Sequence, residues 1–247
     1  SARHGAKTAL VQDRPVLGGN ASSEIRMHIC GAAASGGRDN ARETGILEEI
    51  LLENRRRNYY DEFELFDVIM WEKANFQENL ILFMNTHMYD VKTLGETITE
   101  ITCTQLTTET EIKITSDYFI DATGDGTLGA YAGAKFMRGS ESREVFGEPM
   151  APEKPDANTM GNSILFKARD MGKKCNFIKP AWALDVTEEM LANRNHKLHS
   201  YGYWWIELGG MNDDTIKDYE EIKDELLKWA FGIWDHIKNK GDHGADN

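Results

Sequence analysis

Phe119-Ile120-Asp121-Ala122-Thr123-Gly124-Asp125-Gly126 is a short apolar run that breaks into Ala-Thr-Gly-Asp-Gly and then into the helix-like Thr127-Leu128-Gly129-Ala130-Tyr131-Ala132-Gly133-Ala134. A second junction of this kind stands near the start, where Pro15-Val16-Leu17-Gly18-Gly19-Asn20 follows the apolar Thr8-Ala9-Leu10-Val11. Each reads as a strand ending in a glycine turn. The missing Cβ lets backbone N–H groups approach a phosphate or ribose, and the N-terminus of a following helix favours negative charge. A Gly-Gly pair alone is an ordinary turn. Two such junctions together predict a dinucleotide site.

A dinucleotide-binding βαβ unit opens with a strand, a GxGxxG turn and a helix whose N-terminus holds the pyrophosphate. The sequence instead begins at Ser1-Ala2-Arg3-His4-Gly5, which reads as the tail of a helix with Gly5 as its C-cap, and enters the strand Lys7–Gln12 at once. It ends in the turn-rich Gly241-Asp242-His243-Gly244-Ala245-Asp246-Asn247. We therefore expect an internal fragment.

The chain has 247 residues, 40% of them hydrophobic, enough for one large or two modest domains with a real core. A formal net charge of −13 speaks against a nucleic-acid partner, which needs clustered Lys and Arg. The one basic run, Arg55-Arg56-Arg57, is read as a helix C-terminus, where cations are favoured. No apolar run reaches the roughly 18 residues that span a bilayer, and no signal segment opens the chain, so no membrane partner is expected. Cys30, Cys103 and Cys175 lie far apart with no CxxC pair, which indicates neither a disulfide framework nor a metal or iron–sulfur site. A reducing, cytoplasmic setting is the expectation.

Apolar spacing predicts a helix over 43–57, with Ile46, Leu47, Ile50 and Leu51 on one face, and a second over 62–77 on which Lys73 snorkels. From Asn79 the period becomes that of strands: 80–84, 88–94, 97–105, 111–115 and 118–121. The small-residue run Gly31-Ala32-Ala33-Ala34-Ser35-Gly36-Gly37 reads as a loop. Residues 139–158, rich in Glu, Pro, Ser and Asp, read as a crossing between domains. Strands follow at 162–168 and 201–208, with a short helix between them near 187–193. The clearest helix covers about 216–238, where Tyr219, Ile222, Leu226, Trp229, Ile233 and Ile237 step by three or four.

The segments Thr8–Glu24 and Phe119–Gly126, with a likeness that continues through 162–168 and 203–210, resemble bacterial FAD-dependent oxidoreductases of the glutathione-reductase-like class, distantly similar to the flavin subunit of heterodisulfide reductase. The resemblance implies FAD as cofactor and an α/β fold. Its first part, 1–137, would be an FAD-binding Rossmann-like three-layer ββα domain lacking its first strand and GxGxxG turn. Residues 138–247 would be part of an α+β substrate domain. It also implies hydride transfer between flavin and an unidentified small-molecule substrate, and leaves a homo-oligomer open. The fragment as given would not retain FAD.

The implied cofactor-binding residues are Gln12, Asp13, Arg14, Gly18, Gly19, Asn20, Ser22, Ser23, Met88, Ala122, Thr123, Gly124 and Asp125. Gln12 stands where the family has an acidic residue on the adenosine ribose, and it offers one acceptor where a carboxylate offers two. Gly18, Gly19 and Asn20 match the turn under the pyrophosphate and ribitol, Met88 the backbone beside the adenine, and Gly124 and Asp125 the second glycine turn. Asp125 also suits the N-cap of the helix from Thr127, and the two roles are compatible.

Arg26 and His28 are the catalytic candidates. On a strand they point the same way, and either could stabilise a flavin anion or take a substrate proton. Cys30 shows no resolving partner for redox chemistry. Tyr201, Tyr203, Trp204 and Trp205 could line a substrate surface, strand alternation burying one Trp and exposing the other. Two rivals stand beside this reading. One is a non-catalytic fragment. The other is magnesium-dependent phosphoryl transfer by Asp121 and Asp125, which are four apart where aspartyl phosphatases have two.

Overall fold

A computed structural model describes residues 1–29, 41–196, 203–211 and 213–247, and the side chains of Tyr203 and Trp204 are not among those described. Cys30, the small-residue loop at 31–37 and Tyr201 lie outside the described residues. The chain divides into two compact units, Ser1–Phe136 and Met137–Asn247.

In the first unit, β1 (Thr8–Val11) and β2 (Leu80–Phe83) pair in parallel, in register from Thr8 with Leu80 to Val11 with Phe83. Parallel neighbours need a long connection. Here α1 (Gly45–Arg57) and α2 (Phe63–Asn75) lie within it. Arg55, Arg56 and Arg57 occupy the last turn of α1. The expected apolar face of α1 is largely uncovered, Ile46 being 55% exposed. Ion pairs join α1 to its neighbour instead: Lys73 to Glu49 at 2.5 Å, and Arg57 to Glu72. Lys73 is thus a partner of α1 rather than a side chain reaching for water.

Strands β3 (Thr86–Leu94), β4 (Thr97–Gln105) and β5 (Thr110–Thr115) form an antiparallel meander. Alternation on the middle strand turns Ile101 and Cys103 inward, and Cys103 is fully buried with Met88 and Ile112 opposite it. Burial pushes its thiol pKa up. The short α3 (Thr127–Tyr131) brings Leu128 onto the same cluster, which Val11, Met88 and Phe119 also join.

The strand expected at 118–121 does not form. Phe119 packs inward while Tyr118 and Ile120 are 87% and 78% exposed, so the alternation is there. No strand among the described residues lies beside it to complete a ladder, and a strand is defined by its neighbour's hydrogen bonds.

In the second unit, β6 (Asn162–Lys167) pairs antiparallel with β7 (Tyr203–Leu208), and α5 (Tyr219–Asn239) packs on both. Ile222, Leu226, Ala230, Ile233 and Ile237 form its buried stripe, joined by Val186, Leu191, Ile206 and Ala245. Each large aliphatic side chain so buried contributes roughly 1.5–3 kcal/mol. At Gly232 the backbone of the 180–186 segment lies against the helix, and a Cβ there would stand 2.4 Å from the Leu184 carbonyl oxygen.

The helix expected over 187–193 is a single 3₁₀ turn, Glu189–Leu191. Tertiary partners take the preceding backbone: the Leu184 N–H donates to the Lys228 carbonyl at 3.1 Å, and the Val186 carbonyl faces His236 Nδ1 at 3.2 Å. Residues 139–158 belong to this unit rather than crossing between domains. They hold a one-turn α4 (Arg143–Phe146) and fold back through paired hydrogen bonds between Ser140 and Asp156. Among the described residues no helix is long and apolar enough to cross a membrane.

Candidate functional site

The first glycine turn leaves the end of β1 and is held from below. Gln12 is fixed by its backbone, its N–H donating to the Phe83 carbonyl and its carbonyl accepting from the Thr86 N–H, both at 2.8 Å. Its side-chain amide nitrogen donates to the Val16 carbonyl at 2.8 Å, which closes the turn and leaves the amide oxygen as the acceptor. Asp13 is exposed, and Arg14 forms a two-point ion pair with Glu24.

Gly18 and Gly19 both adopt positive φ, at 108° and 53°, where L side chains are strained. They differ in surroundings. A Cβ on Gly18 would meet the Met70 methyl at 2.4 Å, whereas among the described residues one on Gly19 would meet nothing within 4 Å. Gly18 is therefore a packing glycine, and no described residue covers Gly19.

Beyond the turn, Asn20 stays exposed and Ser22 is fully buried, its hydroxyl donating to the Gly19 carbonyl at 2.7 Å and accepting from the Glu24 N–H at 3.2 Å. The Ser23 N–H donates to the buried Asp67 carboxylate at 3.0 Å. Both serines thus clamp the loop to itself and to α2.

The second turn is organised by Asp121. Its carboxylate accepts from the Thr123 N–H at 3.0 Å, the Thr123 hydroxyl at 2.7 Å and the Gly129 N–H at 2.8 Å. These bonds, the Thr123 N–H first, hold its pKa below the usual carboxylate range. The Thr123 hydroxyl accepts in turn from the Thr127 N–H at 2.8 Å. Thr123 and Asp121 therefore cap α3, and the capping role expected of Asp125 falls to them. With both its oxygens engaged, Asp121 is also not placed as a phosphatase nucleophile.

Ala122 lies exposed within the turn. Gly124 and Gly126 adopt positive φ, and among the described residues a Cβ on either would meet nothing within 4 Å. Among the described residues the N–H groups of Gly19, Asn20, Gly124 and Asp125 reach no protein acceptor. Left-handed glycines facing open space, with unclaimed N–H donors, are the set that fits a pyrophosphate-bearing nucleotide. Met88 packs its side chain into the cluster of Ile101, Cys103 and Leu128, so it can offer a ligand only its backbone.

Arg26 and His28 do not lie on a strand. Arg26 has a φ of 63° in an irregular segment, so the expectation that the two share a strand face does not hold. Its guanidinium donates to the Ser23 carbonyl at 3.1 Å and to Glu64 of α2 at 2.7 Å. His28 is exposed. In the second unit Trp205 is 47% exposed beside the buried Ile206, and Arg194 lies 6.0 Å from the centre of its ring.

The structure also gathers four side chains that no motif announces: Glu188, His196, His236 and His243. The cysteine spacing carries no metal pattern, and these four come instead from an irregular segment, a helix end and the tail beyond it. The readable signal was the concentration of histidines after residue 195, with His236 and His243 bracketing the end of α5.

No curated protein and no solved structure matches the chain. The family described as FAD dependent oxidoreductase matches residues 1–246. That match spans both glycine turns and the whole of the second unit but its last residue. The chain therefore belongs to the FAD-dependent oxidoreductase family, and its cofactor is FAD.

Proposed function

We propose that the chain takes part in hydride transfer between FAD and a small organic molecule, within the glutathione-reductase-like class of flavoproteins. The observation that carries this reading is the pair of left-handed glycine turns with open space over Gly19, Gly124 and Gly126. When bound, FAD supplies the two-electron centre that accepts or returns the hydride. The protein supplies position, charge and exclusion of water.

In this reading the N–H groups of Gly19 and Asn20 hold the pyrophosphate and ribitol, and those of Gly124 and Asp125 hold the second edge. The Gln12 amide oxygen accepts from a ribose hydroxyl, and the Met88 backbone meets the adenine. His28 exchanges the substrate proton, and Arg26 stabilises negative charge once its Glu64 partner yields. Residues 1–137 form the cofactor domain and 138–247 the substrate domain. A cytoplasmic setting goes with this reading, because Cys30, Cys103 and Cys175 lie far apart in the sequence with no CxxC pair, and the acidic net charge of −13 supports a small-molecule rather than a nucleic-acid partner.

Three variants test this. Gly19→Val should weaken the affinity for added FAD while leaving the far-UV circular dichroism unchanged, and a variant that binds added FAD as well as the unaltered chain would remove Gly19 from the site. Arg26→Ala should make the midpoint potential of the bound flavin more negative, because it removes a positive charge that favours the reduced anion, and His28→Ala should slow flavin reduction by substrate while leaving the bound flavin spectrum present. An unchanged potential in the first of these two and an unchanged reduction rate in the second would take the two residues out of the reaction.

A further inference from the structure

The strongest unassigned feature of the molecule is the convergence of Glu188, His196, His236 and His243, whose ligand atoms all lie within 4.8 Å of one another. The three rings form a triangle with centroids 5.3, 4.8 and 4.9 Å apart, and all three histidines are buried. Each is brought by a different piece of chain. His236 lies in the last turn of α5, His243 in the tail after it, and His196 shortly after the 3₁₀ turn that Glu188 precedes.

The hydrogen bonds fix which ring nitrogens face inward. His196 Nδ1 lies 2.8 Å from the Arg194 carbonyl, and His236 Nδ1 lies 3.2 Å from the Val186 carbonyl. A carbonyl only accepts, so both Nδ1 atoms carry the proton and donate. This is the arrangement in which a backbone carbonyl orients a metal-binding imidazole. Both Nε2 atoms then point to Glu188, at 3.1 and 3.0 Å. Nε2 of a neutral ring is an acceptor, and so is a carboxylate.

His243 makes the mismatch worse. It is 8% exposed, neither ring nitrogen has a hydrogen-bond partner among the described residues, and its Nε2 stands 3.7 Å from Glu188. A proton between two acceptors reconciles only that pair. One divalent cation at the centre reconciles all four groups at once, and its charge offsets the cost of burying the rings.

We propose that these four side chains bind one Zn²⁺ ion. Three imidazole nitrogens and one carboxylate oxygen are a donor set that suits zinc, and four protein ligands make the closed tetrahedral site typical of a structural ion. Zinc–nitrogen bonds of about 2.0–2.1 Å place tetrahedral ligand atoms about 3.3 Å apart. The contacts of Glu188 at 3.0 to 3.7 Å bracket that edge. The widest separations need side-chain adjustment of about 1 Å or more. Gly241 makes room for one ligand, since a Cβ there would stand 3.2 Å from His243 Nε2. The ion would tie the irregular 186–196 segment and the tail to α5. This inference stands independently of the flavin reading.

The test uses the full chain, stripped with a chelator and titrated with Zn²⁺ alone, then with Co²⁺ as a spectroscopic probe. We expect one equivalent bound per chain, an intense tetrahedral cobalt spectrum and a rise in melting temperature with zinc. Glu188→Gln and His243→Gln should each weaken zinc affinity by about 100-fold or more, the loss of a ligand exceeding the 10- to 100-fold effect of an outer partner. Glu188 is exposed, so its variant decides the matter even if His243→Gln fails to fold. Substoichiometric binding, an octahedral cobalt spectrum, or wild-type affinity in Glu188→Gln would each overturn the proposal.

Discussion

The glycine turns of the first unit and the histidine cluster of the second present their polar atoms in opposite ways. Around Gly19 and Gly124 the exposed polar groups are backbone N–H groups, with positive φ and, among the described residues, no atom within 4 Å of where a Cβ would be. Around Glu188 the donors are side chains, and their placement depends on the packing of α5, which buries Ile233 and Ile237 on either side of His236. A backbone site is therefore sensitive to local substitution and indifferent to remote packing. A side-chain site assembled from distant segments is sensitive to its core.

The sharpest way to break this contrast is Ile237→Ala. The residue is 1% exposed and adjoins His236, so the truncation should cost about 2–5 kcal/mol and lower zinc affinity without touching a ligand. Denaturant unfolding followed by tryptophan fluorescence reads the first effect and zinc titration the second. Unchanged zinc affinity would mean that the cluster does not depend on the core beneath it.

Next comes the contrast within the first turn. Gly18→Ala should cost about 1–3 kcal/mol, from backbone strain and the clash with Met70, and Gly18→Ala with Met70→Val should recover part of it. Gly19→Ala should cost only about 1–2 kcal/mol from its positive φ. Equal losses, with no recovery in the double variant, would erase the distinction between a packing and a ligand-facing glycine.

Asp121 gives a smaller effect of defined sign. Its pKa is lowered in the folded chain, chiefly by the Thr123 N–H. The stabilisation is present above the unfolded value of about 3.9 and lost as pH falls through the lower folded value. Asp121→Asn should cost about 1 kcal/mol at neutral pH, the usual worth of a cap, and flatten the acid limb of the stability curve. An unchanged acid limb would mean that the cap contributes nothing.

The smallest effect is expected from Glu49, which hydrogen bonds from Lys73 and then Arg3 hold at a pKa of about 2. Its contribution is present above the unfolded value of about 4.3 and fades as pH falls towards 2. The group is exposed, so Glu49→Gln should lower the melting temperature slightly at low salt and not at all at high salt. A salt-independent loss would assign Glu49 a packing role.

The sequence disclosed what is local. The strands from Leu80 to Thr115 and the helix ending near Lys238 follow from side-chain period, and the glycine turns follow from the conformations only glycine adopts freely. Readings that depended on a distant partner fared worse. Tyr118–Asp121 has the alternation of a strand without its ladder, and 187–193 forms only a 3₁₀ turn after a segment whose Val186 carbonyl faces His236 of α5. Nothing near Gly18 announced Met70 from α2. Glu188 and His196 lie in an irregular segment, and no short spacing couples them to His236 and His243. Side-chain sites of that kind come into being only when tertiary packing does.

Cys103 lies fully buried on the middle strand of the meander. A thiol in that position is a clock. An alkylating reagent cannot reach it until β4 opens, so in a chain with Cys30 and Cys175 replaced by serine the labelling rate counts the openings of one sheet. Where closing outruns labelling, the ratio of that rate to the rate for a free thiol gives the fraction of time the sheet is open. Following it with and without FAD would show how far the cofactor holds the meander shut, in a measurement that needs no knowledge of the substrate.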